Sequence, residues 1–124
     1  MNNDDFLKEY NALVERAFLL SEKSRREGLL ALEEMIEENK YMQRDIFEYG
    51  IRLAIDGTDG QLINKILTNI VELETDKDKK LLKRIQKEAV LAIQEGLNPR
   101  LLLLLMNSYS DIGIEDAMKK YNEM

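Results

Sequence analysis

The side chains in this sequence that could do chemistry are almost all carboxylates, densest where Glu33, Glu34, Glu37 and Glu38 follow one another. Paired carboxylates can work as general acid and base, or gather a divalent cation. The chain has no histidine, cysteine or tryptophan, so the usual general base, thiol nucleophile and transition-metal ligands are missing. It also has no P-loop and no dinucleotide-binding glycine fingerprint. The loop Asp56-Gly57-Thr58-Asp59 is acidic, but an EF-hand needs a glutamate at its twelfth position, and Leu67 stands there. These residues lead us to expect no catalytic group, no cofactor and no metal, and to read the carboxylates as a solvated helical face.

Binding is what remains. Arg25 and Arg26 set a basic turn ahead of the acidic Glu33, Glu34 and Glu37, and helical counting places Arg26, Glu33, Glu34 and Glu37 on neighbouring faces. Such a pattern is common on exposed helices and contributes only about 0.3 to 0.5 kcal/mol per pair. It also suits a partner helix carrying the opposite order, through fast, salt-sensitive contacts. The net charge of −6 argues against a sequence-independent grip on nucleic acid.

The elements that must position these residues are helices. One proline and six glycines interrupt a chain that is 34% charged and 44% hydrophobic, a composition that favours helix nearly throughout. Asn3, Asp4 and Asp5 can cap a first helix, whose stripe of Phe6, Tyr10, Leu13, Val14, Ala17, Phe18 and Ser21 continues through Gly28, Leu32, Met35 and Ile36. The spacing predicts one long helix, bent near Ser21 to Ser24. Gly28 on that stripe suggests a closely packed backbone, the alternative being a harmless surface glycine.

Glu37 to Lys40 reads as a helix end. A second helix, about Met42 to Ile55, is expected to turn Ile46, Tyr49, Gly50, Leu53 and Ala54 to one side. The turn at Asp56, Gly57, Thr58 and Asp59 offers a left-handed glycine and a Thr58/Gln61 capping box for a third helix carrying Leu62, Ile63, Ile66, Leu67, Ile70 and Val71. Glu72 to Lys80 is either a solvated helical turn or a loop, with Thr75 and Asp78 able to restart a helix. Leu81, Leu82, Ile85, Ala89, Val90 and Ile93 carry that helix to Gly96.

Asn98 and Pro99 then supply an N-cap and first-turn proline for a segment from Arg100 to about Tyr109. Its run Leu101, Leu102, Leu103, Leu104, Leu105 and Met106 is apolar on every side, which implies burial, an oligomer contact, or both. A short last helix is expected over Ile114 to Asn122. The whole reads as one all-α domain over 1–124, a compact bundle of about five helices with the first one long. The acidic N-terminus predicts no signal peptide, and the uncharged run between Arg100 and Asp111 is about half the roughly 20 residues a membrane helix needs. Arg26 to Glu34 also has a weak internal echo in Lys87 to Glu95.

The stretch Arg26-Glu27-Gly28-Leu29-Leu30-Ala31-Leu32-Glu33-Glu34, followed by a helix ending in Asp56-Gly57-Thr58-Asp59, resembles the cytoplasmic loop of MotA-type flagellar stator proteins. Ala89 to Arg100 is similar to the cytoplasmic segment after that family's last membrane helix. The resemblance covers roughly residues 15 to 107 and leaves 108–124 as an unmatched extension. In the family a pair of membrane helices lies where Thr75 to Lys80 stands here, so ion conduction and pairing with a MotB-type partner are not carried over.

What the resemblance does imply is a motility and chemotaxis role at the inner face of the membrane near the flagellar motor. Contact would be with the FliG-like rotor switch or with MotA-type stator subunits. Aligned on Gly28, Arg25 and Glu33 match the charged positions credited with the rotor contact, and Arg26, Glu34 and Glu37 are their neighbours. The alternative is an oligomeric helical scaffold without rotor contact.

Overall fold

Six α-helices and one 3-10 turn make up the regular structure of the computed structural model, which describes residues 2–38, 45–109 and 122–123. No strand occurs among them, in agreement with the all-α expectation. Helix α1 spans Asn3–Glu27 and is capped by Asn2, whose side chain accepts from the Asp5 N–H at 2.8 Å. Asp4 and Asp5 therefore lie inside the first turn, where their charge favours the positive end of the helix dipole. Phe6, Tyr10, Leu13, Ala17, Leu20 and Ser21 form its buried face.

The chain stays helical through Ser21 to Ser24 and breaks at Gly28, so the expected long bent helix is in fact two. Gly28 has φ 92° and ψ 160°, a region almost closed to residues with a Cβ, and its N–H still donates to the Ser24 carbonyl at 2.8 Å. A 3-10 turn, Leu29–Ala31, then leads into α2, Leu32–Glu38. A Cβ at Gly28 would have no atom within 4 Å, so this glycine is required by backbone conformation and not by a close neighbour. Close approach belongs to Gly50, where an added Cβ would meet Val90 Cγ2 at 2.7 Å and Leu67 Cδ1 at 3.0 Å.

Helix α3, Ile46–Ile55, is capped by Asp45, and the predicted start at Met42 lies outside the described residues. Its buried face is Ile46, Phe47, Glu48, Gly50, Ile51 and Ala54. Tyr49, expected inside, is 47% exposed. The capping contact at Asp45 and the Gly50 crossing set a rotation that apolar spacing alone did not reveal.

At the turn after α3, Gly57 adopts the left-handed region (φ 84°), and its N–H and that of Thr58 close onto the Ala54 and Leu53 carbonyls, the two hydrogen bonds of a Schellman motif. Helix α4, Gly60–Glu72, is capped by Asp59 and not Thr58; the Asp59 carboxylate accepts from the Gln61 N–H at 3.0 Å. Thr58 instead offers its carbonyl to Gln94 Nε2 at 2.8 Å, which ties the turn to α5.

The polar patch is a short turn followed by a helix start. Asp76, again in preference to the neighbouring threonine, caps α5, Lys77–Glu95. Glu74 closes this turn by accepting from Lys83 Nζ at 2.9 Å and from the Thr75 and Asp76 N–H groups. Lys83 first, then the Asp76 N–H, hold its carboxyl below the usual range. Helix α5 is the central element, packed against α1, α3, α4 and α6 through Leu82, Ile85, Ala89, Val90, Ala92 and Ile93.

Asn98 and Pro99 open α6, Pro99–Asn107, as expected, with Asn98 accepting from the Arg100 N–H at 2.8 Å. Among the described residues no helix is long and apolar enough to cross a membrane. The helix expected over Ile114 to Asn122 lies outside the described residues except for Asn122.

Candidate functional site

The end of α1, the Gly28 break and the start of α2 carry the charged residues singled out from the sequence. Because the helix stops at Gly28, i to i+4 counting does not run from Arg26 to Glu33 or Glu34, and the expected shared helical face is replaced by two helix ends. Arg25 and Arg26 occupy the last turn of α1 and Glu33 and Glu34 the first turn of α2, each sign on the end of the helix dipole that favours it. Glu37 lies further along α2.

Arg25 is exposed but engaged: its guanidinium donates to the Gly96 carbonyl at the end of α5. One turn earlier, Ser21 Oγ donates to the Leu97 carbonyl at 3.3 Å. Together they hold the α5–α6 corner against α1. Arg26 is exposed, and its Nε donates to the Glu22 carbonyl of its own helix at 3.4 Å. Glu27 pairs with Lys23 at 3.1 Å, whereas Glu33 and Glu34 are exposed and form no ion pair among the described residues.

The apolar run of α6 divides. Leu102, Leu103 and Met106 are buried, Leu104 and Leu105 are half-buried, and Leu101 is 45% exposed. Asp56, Gly57, Thr58 and Asp59 form the turn described above, away from these charges in sequence and joined to α5.

A second charged group, between α1 and the start of α3, was not singled out from the sequence. Arg16 bridges to Asp45 at 2.7 Å and lies over the Phe47 ring, 5.2 Å from its centre. The Asp45 carboxylate also accepts from the Glu48 N–H at 2.9 Å. Glu48 is 1% exposed and pairs through Oε1 with Arg52 at 3.1 Å, and its buried Oε2 has no hydrogen-bond partner among the described residues. Two signals pointed here: Asp45 and Glu48 have capping-box spacing, and Glu48 and Arg52 have i, i+4 ion-pair spacing. Among the described residues no cluster of three or more carboxylates could hold a metal ion.

The arrangement is one of charged helix ends on a packed helical scaffold. No protein-family model matches the chain, and no solved structure matches it. It is similar to Motility protein A of Treponema phagedenis, 34% identical over 85 residues, which is 68% of this chain and 32% of that protein. The same identity and coverage hold for Motility protein A of Treponema pallidum (strain Nichols). The chain is thus similar to Motility protein A over that stretch, and it spans about a third of the length of the curated relatives it matches.

Proposed function

We propose that this chain acts in a flagellar-type motor by contact and not by catalysis, presenting the charged surface around Gly28 to a FliG-like rotor switch protein or to stator loops. The observation that carries the proposal is the 34% identity to Motility protein A. Solvent exposure of Arg26, Glu33 and Glu34 supports it, since charges held in water are free to meet opposite charges on a partner. Ion conduction is not part of the proposal: α4 and α5 are joined by a short turn, and no described helix could span a bilayer.

Titration calorimetry of the chain against the purified C-terminal domain of the switch protein tests this. Glu33→Lys and Arg26→Glu should each weaken binding, most strongly at low salt. Unchanged affinity in both variants would reject the rotor contact.

A second function is favoured by Leu101, exposed on α6 beside half-buried Leu104 and Leu105. Here the chain is a scaffold that self-associates through α6 without touching the rotor. Binding to the switch domain and self-association are separate measurements, so each reading stands or falls alone.

A further inference from the structure

We infer that the outer face of α4 is a self-pairing surface, on which a second copy of the chain lies antiparallel, related to the first by a two-fold axis. The inference needs neither the rotor contact nor the α6 contact proposed above. Leu62, Ile66, Ile70 and Leu73 follow one another at spacings of four, four and three residues, which sets them along one side of the helix. Leu73, the C-cap, keeps helical dihedrals (φ −75°, ψ −17°), so the stripe runs the full length of α4. Leu62 is 49% and Leu73 80% exposed, and Ile66 and Ile70 between them are half-buried. A lone exposed leucine is ordinary, whereas apolar residues joined along three turns of one helix mark a contact surface.

Charge says what that surface meets. The chain carries −6 overall and is 34% charged, yet Lys65 is the only charged residue between Asp59 and Glu72. Two copies of an acidic chain repel each other and approach closely only where carboxylates are absent, which the middle of α4 provides. The cores of homodimer interfaces are likewise apolar and short of charge.

Residue order then fixes how the copies meet. A two-fold axis makes each contact occur twice, residue i on j and j on i, and in antiparallel helices such pairs share one midpoint. The midpoints of Leu62 with Leu73, Ile66 with Ile70 and Lys65 with Glu72 all fall between positions 67 and 69. One register therefore lays Leu62 on Leu73 of the second copy, Ile66 on Ile70, and Lys65 beside Glu72. Lys65 and Glu72 are a heptad apart on one flank of the stripe, the flank that the two-fold axis brings against itself. Lys65 is exposed and forms no ion pair among the described residues. Glu72 holds Lys80 at 3.3 Å with its side chain still 60% exposed. Contact along one 13-residue helix, about 20 Å long, is at the small end of specific interfaces, so the pairing is weak and depends on concentration.

Sedimentation of the full chain at concentrations up to about 1 mM, enough to populate even a millimolar pair, tests this. Wild type should pass from monomer to dimer. Leu62→Glu should lower the association constant by roughly tenfold or more, an effect of hot-spot size. Its urea midpoint should match wild type, because a carboxylate in the first turn of α4 suits the helix dipole. Leu73→Ser, at a residue too exposed to carry the fold, should also weaken pairing. Lys65→Glu should weaken it, and adding Glu72→Lys to that variant should restore it, a recovery that a merely structural role does not give. Leu101→Glu on α6 should pair as wild type does.

A wild type that stays monomeric throughout overturns the surface, as does a dimer that survives both Leu62→Glu and Leu73→Ser. A dimer lost in Leu101→Glu and kept in Leu62→Glu assigns the pairing to α6 and overturns it too. Loss in Leu62→Glu without recovery in the charge exchange overturns the antiparallel register. No switch domain is present in these measurements, so their outcome is separate from that of the rotor contact.

Discussion

The guanidinium of Arg25 donates to the carbonyl of Gly96, 71 residues further along the chain. A side chain proposed for partner contact thus also fastens α1 to the corner between α5 and α6, at a helix C-terminus where a cation is favoured. Arg25→Ala should lower stability by about 0.5 to 1.5 kcal/mol, the usual net value of one hydrogen bond. Arg25→Glu should cost more, by setting a carboxylate against a carbonyl. Urea midpoints equal to wild type in both variants would show that the corner does not depend on Arg25. Glu33, which has no such second duty, is the cleaner probe of partner binding.

Gly28 and Gly50 should both resist substitution by alanine, for different reasons. Gly28→Ala forces a Cβ into a backbone region that costs about 1 to 3 kcal/mol. Gly50→Ala drives a methyl into Val90, a stiff and fully buried side chain, and overpacking of this kind costs about 1 to 3 kcal/mol. A second substitution, Val90→Ala, should recover much of the loss at Gly50 and none at Gly28. Additive behaviour in the Gly50/Val90 double-mutant cycle would contradict the close crossing of α3 over α5.

The same pair explains which parts of the fold were legible in the sequence. Helices α4, α5 and α6 could be read almost whole, because their apolar periodicity, the glycines at 57 and 96, and Asn98-Pro99 all point one way. Gly28 misled because a glycine on an apolar stripe can be there for close packing or for its φ, and only coordinates tell these apart. The echo between Arg26–Glu34 and Lys87–Glu95 shows the consequence: with alanine at position 89 the helix continues, and with glycine at position 28 it breaks. Both expected threonine caps moved one residue on, to Asp59 and Asp76, since aspartate is the stronger N-cap and brings negative charge to the dipole. The charged residues could be named from the sequence. Their division between two helix ends, and the engagement of Arg25 by Gly96, could not, because both depend on the break and on a contact distant along the chain.

Tyr10 makes stability depend on alkaline pH. Its hydroxyl is buried and donates to Asn107 Oδ1, joining α1 to α6. Burial pushes its pKa well above the ordinary value of 10.0. The ionised form is therefore disfavoured in the folded chain, and the stabilisation is fully present below the unfolded value and lost as pH rises from there towards the higher folded one. Tyr10→Phe should be less stable at neutral pH by about 1 to 3 kcal/mol, because buried Asn107 loses its partner. The gap between the two proteins should narrow above about pH 10. Thermal unfolding followed from pH 8 to 11 checks this, and a constant gap would exclude the linkage.

Self-association through α6 is best tested at Leu101 and not within the buried part of the run. Leu103 is 3% exposed, so Leu103→Glu buries an unpaired charge and should unfold the chain whether or not copies associate. Leu101 is 45% exposed, and Leu101→Glu should leave the fold intact, with a urea midpoint within about 0.5 kcal/mol of wild type. If the chain is a scaffold that pairs through α6, sedimentation should show wild type as an oligomer and Leu101→Glu as a folded monomer. An oligomer that survives Leu101→Glu would move the interface off α6, and a wild type that sediments as a monomer at high concentration would remove the scaffold function altogether.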